Sequence, residues 1–165
     1  IYSRKLGRIN NHDSTICFNM KEDCIICRDK FSQNTVGEFK NWIVHLFSNQ
    51  YYPGRCLIKL KEHKLDLTEL NQSERNELFE KVLPEVQGAI DDIFKPDLYN
   101  QATLGNDCRH FHLHVIPRYK DKREFNGEVF RDQNWNSNYT PYPGDFEIKD
   151  ETYRKLQDKI REKLQ

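Results

Sequence analysis

The chain has 165 residues, enough for one domain with a modest core and little room for a second. Its 26 Lys and Arg balance 26 Asp and Glu, so it lacks the basic footprint of a protein that lives on nucleic acid or on an anionic membrane. The longest apolar runs, residues 42–47 and 111–116, fall far short of a bilayer span, and no secretory h-region stands near Ile1; a soluble, cytoplasmic protein is expected.

Residues 1–23 mix polar, charged and isolated apolar positions without a period and are expected to form an irregular arm. The cysteines are Cys17, Cys24, Cys27, Cys56 and Cys108, an odd number with a single tight pair, which suits an intracellular thiol or metal protein better than a disulfide framework. Trp42-Ile43-Val44-His45-Leu46-Phe47 is β-branched and aromatic and reads as a strand buried on both faces. Asn49 to Gly54 turns the chain at Pro53-Gly54, and Cys56 to Leu60 returns as the second strand of a hairpin, with His63 just past its end. Asp66 and Glu69 have the spacing of a capping box, and Ser73 is the expected cap of a longer helix running to about Phe94. Leu78, Phe79, Val82, Val86, Ala89, Ile90 and Ile93 recur at threes and fours and are expected to form its buried stripe. Pro84, which lacks an N–H, should kink it.

Residues 98–104 and 109–116 read as a second strand pair about a short turn at Gly105-Asn106-Asp107. The core domain is placed at residues 24–120. Beyond Pro117 the chain is aromatic and polar, so residues 121–165 are expected to wrap the same domain and to end in an amphipathic helix marked by Leu156, Ile160 and Leu164.

Chemistry concentrates in His110-Phe111-His112-Leu113-His114. Side chains alternate across a strand, so the three imidazoles are expected on one face and Phe111, Leu113 and Val115 on the other. Such a row is costly as core filling, because every ring carries a polar nitrogen pair that needs partners. Unrelated packing histidines and a purely metal-binding row are the plain alternatives. The sharper reading is nucleophilic catalysis, in which a neutral imidazole attacks phosphorus and forms a covalent intermediate. His114 and Asn106 are the nearest groups in sequence that can stabilise the developing charge. Cys24-Ile25-Ile26-Cys27 has the knuckle spacing that puts two thiolates on one zinc ion, although a lone C-x-x-C is half a site and redox activity is its rival.

His110-Phe111-His112-Leu113-His114-Val115-Ile116 resembles the signature of the histidine triad (HIT) family. Tyr52-Pro53-Gly54-Arg55-Cys56-Leu57-Ile58-Lys59-Leu60-Lys61-Glu62-His63 is similar to its Gly-to-His strand segment, and Leu104-Gly105-Asn106 with Pro117-Arg118-Tyr119 resembles the branch that hydrolyses dinucleoside polyphosphates. The likeness runs over about residues 24–142. It implies an α+β fold, an antiparallel sheet with one long helix and a C-terminal helix, usually a homodimer whose sheets join. It also implies a nucleoside phosphate ligand and nucleotidylation of the middle histidine, His112, with His114 as its catalytic partner on the phosphate side. Zinc-containing members resemble this chain in a further respect, which implies a structural zinc held by Cys24, Cys27, His63 and His110. Asn49 and Asn106 are the remaining nucleotide-binding candidates. The family often has serine or threonine three positions before the first triad histidine, where this chain has Asp107; a carboxylate there repels phosphate, so the leaving-group role is not carried onto it.

The expectation is therefore an enzyme that cleaves a nucleoside phosphoanhydride through a nucleotidyl-His112 intermediate. A zinc-stabilised nucleotide-binding or interaction module without turnover is the alternative. Processing of adenylated nucleic-acid ends is a third, which the neutral charge disfavours.

Overall fold

A computed structural model describes residues 24–28, 32–105 and 109–164. The expectations for the N-terminal arm, Cys17, Cys108, Asn106 and Asp107 lie outside the described residues. Strands β1 (Thr35–Glu38), β2 (Trp42–Leu46), β3 (Cys56–Leu60), β4 (Leu98–Ala102) and β5 (His112–Arg118) form one antiparallel sheet in the order β1-β2-β3-β5-β4. The helical layer is α1 (Gln72–Glu77), a π turn (Leu78–Val82), α2 (Leu83–Phe94) and the C-terminal α3 (Asp150–Lys163). This is the expected α+β arrangement, an antiparallel sheet with one long helical run and a terminal helix. No helix among the described residues is long and apolar enough to cross a membrane.

Alternation sorts the sheet into two faces. Val44, Ile58, Leu60 and Val115 join Val82, Val86 and Ile90 of the long helix, and Leu156 and Ile160 of α3, in a single buried cluster. The partners in register on the other face are Lys59 with His112 and Leu57 with His114. Hydrophobic packing thus takes one face, leaving the opposite face of β3 and β5 to present the polar side chains.

Several local expectations need correction. Asn71, not Ser73, caps α1: its Oδ1 accepts the Glu74 N–H at 3.0 Å while Glu74 takes the Asn71 N–H at 2.8 Å, a reciprocal box. Ser73 is already inside the first turn. Asp66 opens only a short 3-10 turn, Leu67–Glu69, and Glu69 reaches the N–H of Leu65. At Pro84, where a kink is expected, the helical run continues through a π turn. In the π turn just before it, the Leu83 N–H bonds to Leu78 O, a wider loop that absorbs the missing donor and the crowding of the proline ring. Phe79 is 52 % exposed, because Leu78 and Val82 already occupy the core-facing positions; Ile93 is half-buried, and Phe94 joins the core instead. The second strand pair differs too. β5 begins at His112 and runs through Pro117 to Arg118, while the preceding Phe111 N–H bonds to Lys64 O beyond β3. His110 therefore lies in a bend before the strand and not in the alternating row.

After β5 the chain makes a hairpin that the wrap expectation missed, β6 (Arg123–Phe125) and β7 (Glu128–Phe130). Asn126 and Gly127 turn it with φ of +50° and +76°, the double left-handed geometry that Asn-Gly tolerates. The segment beyond is held to the sheet by Arg118, whose Nε donates to Asp132 Oδ2 at 2.6 Å, Nη1 to Asn100 Oδ1 at 2.7 Å and Nη2 to Asn134 O at 2.6 Å. Both charged partners are buried. Removing only the cation leaves the Asp132 carboxylate buried and unpaired, so Arg118→Met is expected to cost about 3–5 kcal/mol. Urea unfolding checks this; a loss under about 1 kcal/mol would be the size of a surface pair and would refute the anchoring role.

Candidate functional site

Cys24 and Cys27 sit on a tight turn closed by the Arg28 N–H to Cys24 O at 3.0 Å and steadied by the Cys27 N–H to Cys24 Sγ at 3.4 Å. His63 approaches from just after β3 and His110 from the bend before β5. Cys24 Sγ is 3.5 Å from His110 Nδ1, Cys27 Sγ is 3.3 Å from both His63 Nδ1 and His110 Nδ1, and the two imidazole nitrogens are 3.3 Å apart. All four donor atoms lie within 4.8 Å of one another. With metal bonds of about 2.0–2.3 Å, the edges of a tetrahedral zinc site run from about 3.3 Å between nitrogens to about 3.8 Å between sulfurs. The donor set fits a metal ion in both chemistry and spacing. His110 Nε2 lies 2.7 Å from Leu60 O, which can only accept, so the proton sits on Nε2 and Nδ1 presents its lone pair inward. Burial pushes the His110 pKa down to about 4 against the opposing pull of the Leu60 bond, so the neutral form that ligates metal prevails.

The next two histidines do share a face, with ring centroids 5.1 Å apart. His112 Nδ1 is 2.7 Å from the carbonyl oxygen of His110. That oxygen requires a donor, so Nδ1 carries the proton and Nε2 the lone pair. His114 packs edge-on against Phe47 and places Nδ1 3.4 Å from Arg55 Nη2. A cleft of about 300 Å³ opens beside His112, with Leu67 and Leu104 on its walls and Arg109 at its rim.

Burial first, then the Arg55 charge, pushes the His114 pKa down to about 3 from 6.5. The folded value lies below the unfolded one, so between them the unfolded chain binds the extra proton. This contribution to stability is complete above about pH 6.5 and declines as pH falls towards 3, by up to about 1.4 kcal/mol per pH unit. Urea midpoints of the wild type are expected to fall more steeply from pH 7 to pH 5 than those of His114→Gln. Parallel curves would contradict the neutral, buried state.

Of the sequence-predicted residues, the structure gathers Cys24, Cys27, His63 and His110 in one cluster and His112 with His114 in a second, joined through the His110 backbone. Asn49 makes no hydrogen bond to either cluster. Its Nδ2 donates to Pro143 O at 2.8 Å and its Oδ1 accepts the Tyr51 N–H at 3.0 Å, tying down the C-terminal strap. His45 is buried, with Nδ1 3.2 Å from Thr35 Oγ1. Arg55 was not singled out from the sequence. The signal was present in the period of two: Arg55, Leu57 and Lys59 alternate onto the face that carries His112 and His114.

Residues 20–121 match the HIT domain, well over half of the chain, and the protein belongs to that family. No curated protein matches the sequence. Among solved structures, the fold is similar to a histidine triad (HIT) protein of Sinorhizobium meliloti 1021, with a TM-score of 0.64, 19% identity, and coverage of 81% of this chain and 93% of that one. A histidine triad protein of Bradyrhizobium japonicum gives a TM-score of 0.62 at 18% identity, over 83% of this chain and 96% of the other. A Zn-bound histidine triad family protein of Mycobacterium smegmatis gives 0.55 at 19% identity, over 87% and 96%. At these identities the structural likeness speaks for the fold.

Proposed function

We propose that the protein is a nucleotide hydrolase or nucleotidyl transferase that cleaves a nucleoside phosphoanhydride, with a dinucleoside polyphosphate as the leading substrate. The observation that carries this reading is the 2.7 Å contact from His112 Nδ1 to His110 O, which leaves the Nε2 lone pair as the nucleophile. HIT proteins as a family are nucleotide-binding hydrolases and transferases, which supports the class of reaction. In the first step the Nε2–P bond forms as the bond from phosphorus to the leaving oxygen breaks, and the electron pair departs with the leaving phosphate. In the second, water or another acceptor attacks phosphorus and His112 leaves with its electron pair. His114 is the phosphate-side partner, and Asn49 and Asn106 are the further nucleotide contacts of this reading.

The metal proposed for Cys24, Cys27, His63 and His110 is zinc, in line with the zinc in the Mycobacterium smegmatis relative. When bound it supplies a structural crosslink between the Cys24 turn, the end of β3 and the start of β5. His110, through its backbone oxygen, then orients His112. The proposed assembly is a homodimer; β4 is an open edge of the sheet as described and carries the exposed Leu98.

Diadenosine tetraphosphate is the test substrate. Transfer of AMP from His112 to water yields AMP and ATP, and transfer to added inorganic phosphate yields ADP and ATP, so the products separate a hydrolase from a phosphorylase. Saturable binding without turnover, and without a covalent AMP adduct in intact-mass spectra, would refute the enzyme and leave a binding module.

A further inference from the structure

Arg55 begins the run into β3 immediately after Gly54, whose φ of +89° and close approach to Ile90 and Phe94 leave no room for a side chain. The turn therefore fixes where Arg55 enters the sheet. Arg55 is 2 % exposed, and its Nε and Nη1 are buried without a hydrogen-bond partner. The guanidinium lies 4.0 Å from the ring centroid of Phe47 and 4.9 Å from that of Tyr142. Aromatic faces offset part of the cost of burying a cation but satisfy none of its N–H groups. As packing alone this is a poor choice of residue. The polar contact it does make is Nη2 to His114 Nδ1 at 3.4 Å.

That contact has one chemical sense. A guanidinium is always protonated and has donors and no acceptor, so the imidazole nitrogen facing it must be the one with the lone pair. His114 then carries its proton on Nε2. His112, which faces a carbonyl oxygen with Nδ1, carries its proton on Nδ1. Two adjacent rings on one strand are thereby held in opposite tautomers, one presenting a lone pair at Nε2 and the other an N–H. A ring left to choose would populate both forms, and in one of them it would turn a lone pair towards an anionic phosphate.

We propose that Arg55 is a positioning residue that locks His114 in the Nε2–H tautomer, so that His114 donates a hydrogen bond to a phosphoryl oxygen while His112 attacks phosphorus. No proton is transferred by His114 in this role; the bond strengthens as charge accumulates on that oxygen. The proposal rests on the reading of His112 as nucleophile for its catalytic half. The permanent Arg55 charge also opposes protonation of the ring it holds.

Long-range proton–nitrogen NMR correlations of the histidine rings test the tautomer directly in the wild-type protein. The expected result is an unprotonated Nδ1 and a protonated Nε2 for His114, kept in Arg55→Lys and lost to a mixture in Arg55→Met. Single-turnover formation of the AMP adduct is expected to slow about 100-fold in Arg55→Met, with substrate affinity little changed, and to recover most of that loss in Arg55→Lys. A proton on His114 Nδ1 in the wild type would overturn the proposal, as would an adduct rate in folded Arg55→Met within threefold of the wild type. If Arg55→Met does not fold, the wild-type tautomer and Arg55→Lys decide. Absence of any adduct in the wild type would instead sink the nucleophile reading and with it the catalytic half of the proposal, while the tautomer measurement still decides whether Arg55 holds the ring.

Discussion

His112→Asn is expected to lower kcat/KM on the best nucleotide substrate by at least about 10⁴-fold and to abolish the covalent adduct. Asparagine is the informative replacement. Its amide N–H₂ can keep the hydrogen bond to His110 O that His112 makes through Nδ1 at 2.7 Å, so the strand start and the neighbouring Cys24, Cys27, His63 and His110 cluster are left as they are. What it cannot provide is an imidazole lone pair directed at phosphorus. The loss is therefore expected in kcat, with nucleotide binding retained within a few-fold, because the removed interaction exists only on the way to the transition state. Retention of full turnover would remove His112 as the nucleophile. A rise in KM with unchanged kcat would make it a binding residue.

Much of this site was legible in the chain because short-range rules govern it. The period of two placed His112 and His114 together, Pro53-Gly54 placed the hairpin of β2 and β3, and the Cys24 and Cys27 spacing marked half of a candidate metal site. The other half, His63 and His110, came from family likeness and not from any pattern in the residues. What failed is equally physical. Periodicity extended the row of three to His110, but the bend at His110 is set by Phe111 bonding to Lys64 O, a pairing that no local pattern announces. Phe79 has the right spacing for the core and lies outside it, because a π turn shifts the helix phase next to Pro84. Asn126-Gly127 was a readable hairpin signal that was passed over. Arg55 could be placed on the histidine face by counting, but its unsatisfied nitrogens and its two aromatic neighbours depend on how the turn after β7 returns Tyr142 to the sheet.

Withdrawal of the metal is expected to have the second large effect, and on both stability and chemistry. The purified protein should carry about one zinc per chain, and Cys24→Ser should lose it, since three remaining donors no longer close a tetrahedral site. A ligand that binds only the folded chain stabilises it by about 4 kcal/mol when present at a thousand times its Kd, and for a chain of this size that corresponds to a Tm difference of roughly 10 °C. The domain should still fold without the metal, because the Trp42, Ile58, Val86, Ile90 and Leu156 cluster is built on the opposite face of the sheet and uses none of the four ligands. Activity should be lost before the fold is. His110 belongs to both clusters, with Nδ1 among the four candidate donors and its carbonyl oxygen on His112 Nδ1, so releasing its ring frees the backbone that orients His112. Chelation at a temperature where the zinc-free protein remains folded by circular dichroism is therefore expected to slow formation of the AMP adduct at least tenfold, and readdition of zinc to restore it. Stoichiometric metal in Cys24→Ser would refute the ligand set, and unchanged adduct formation in folded, zinc-free protein would show that the Leu60 and His112 hydrogen bonds hold His110 without any help from a metal.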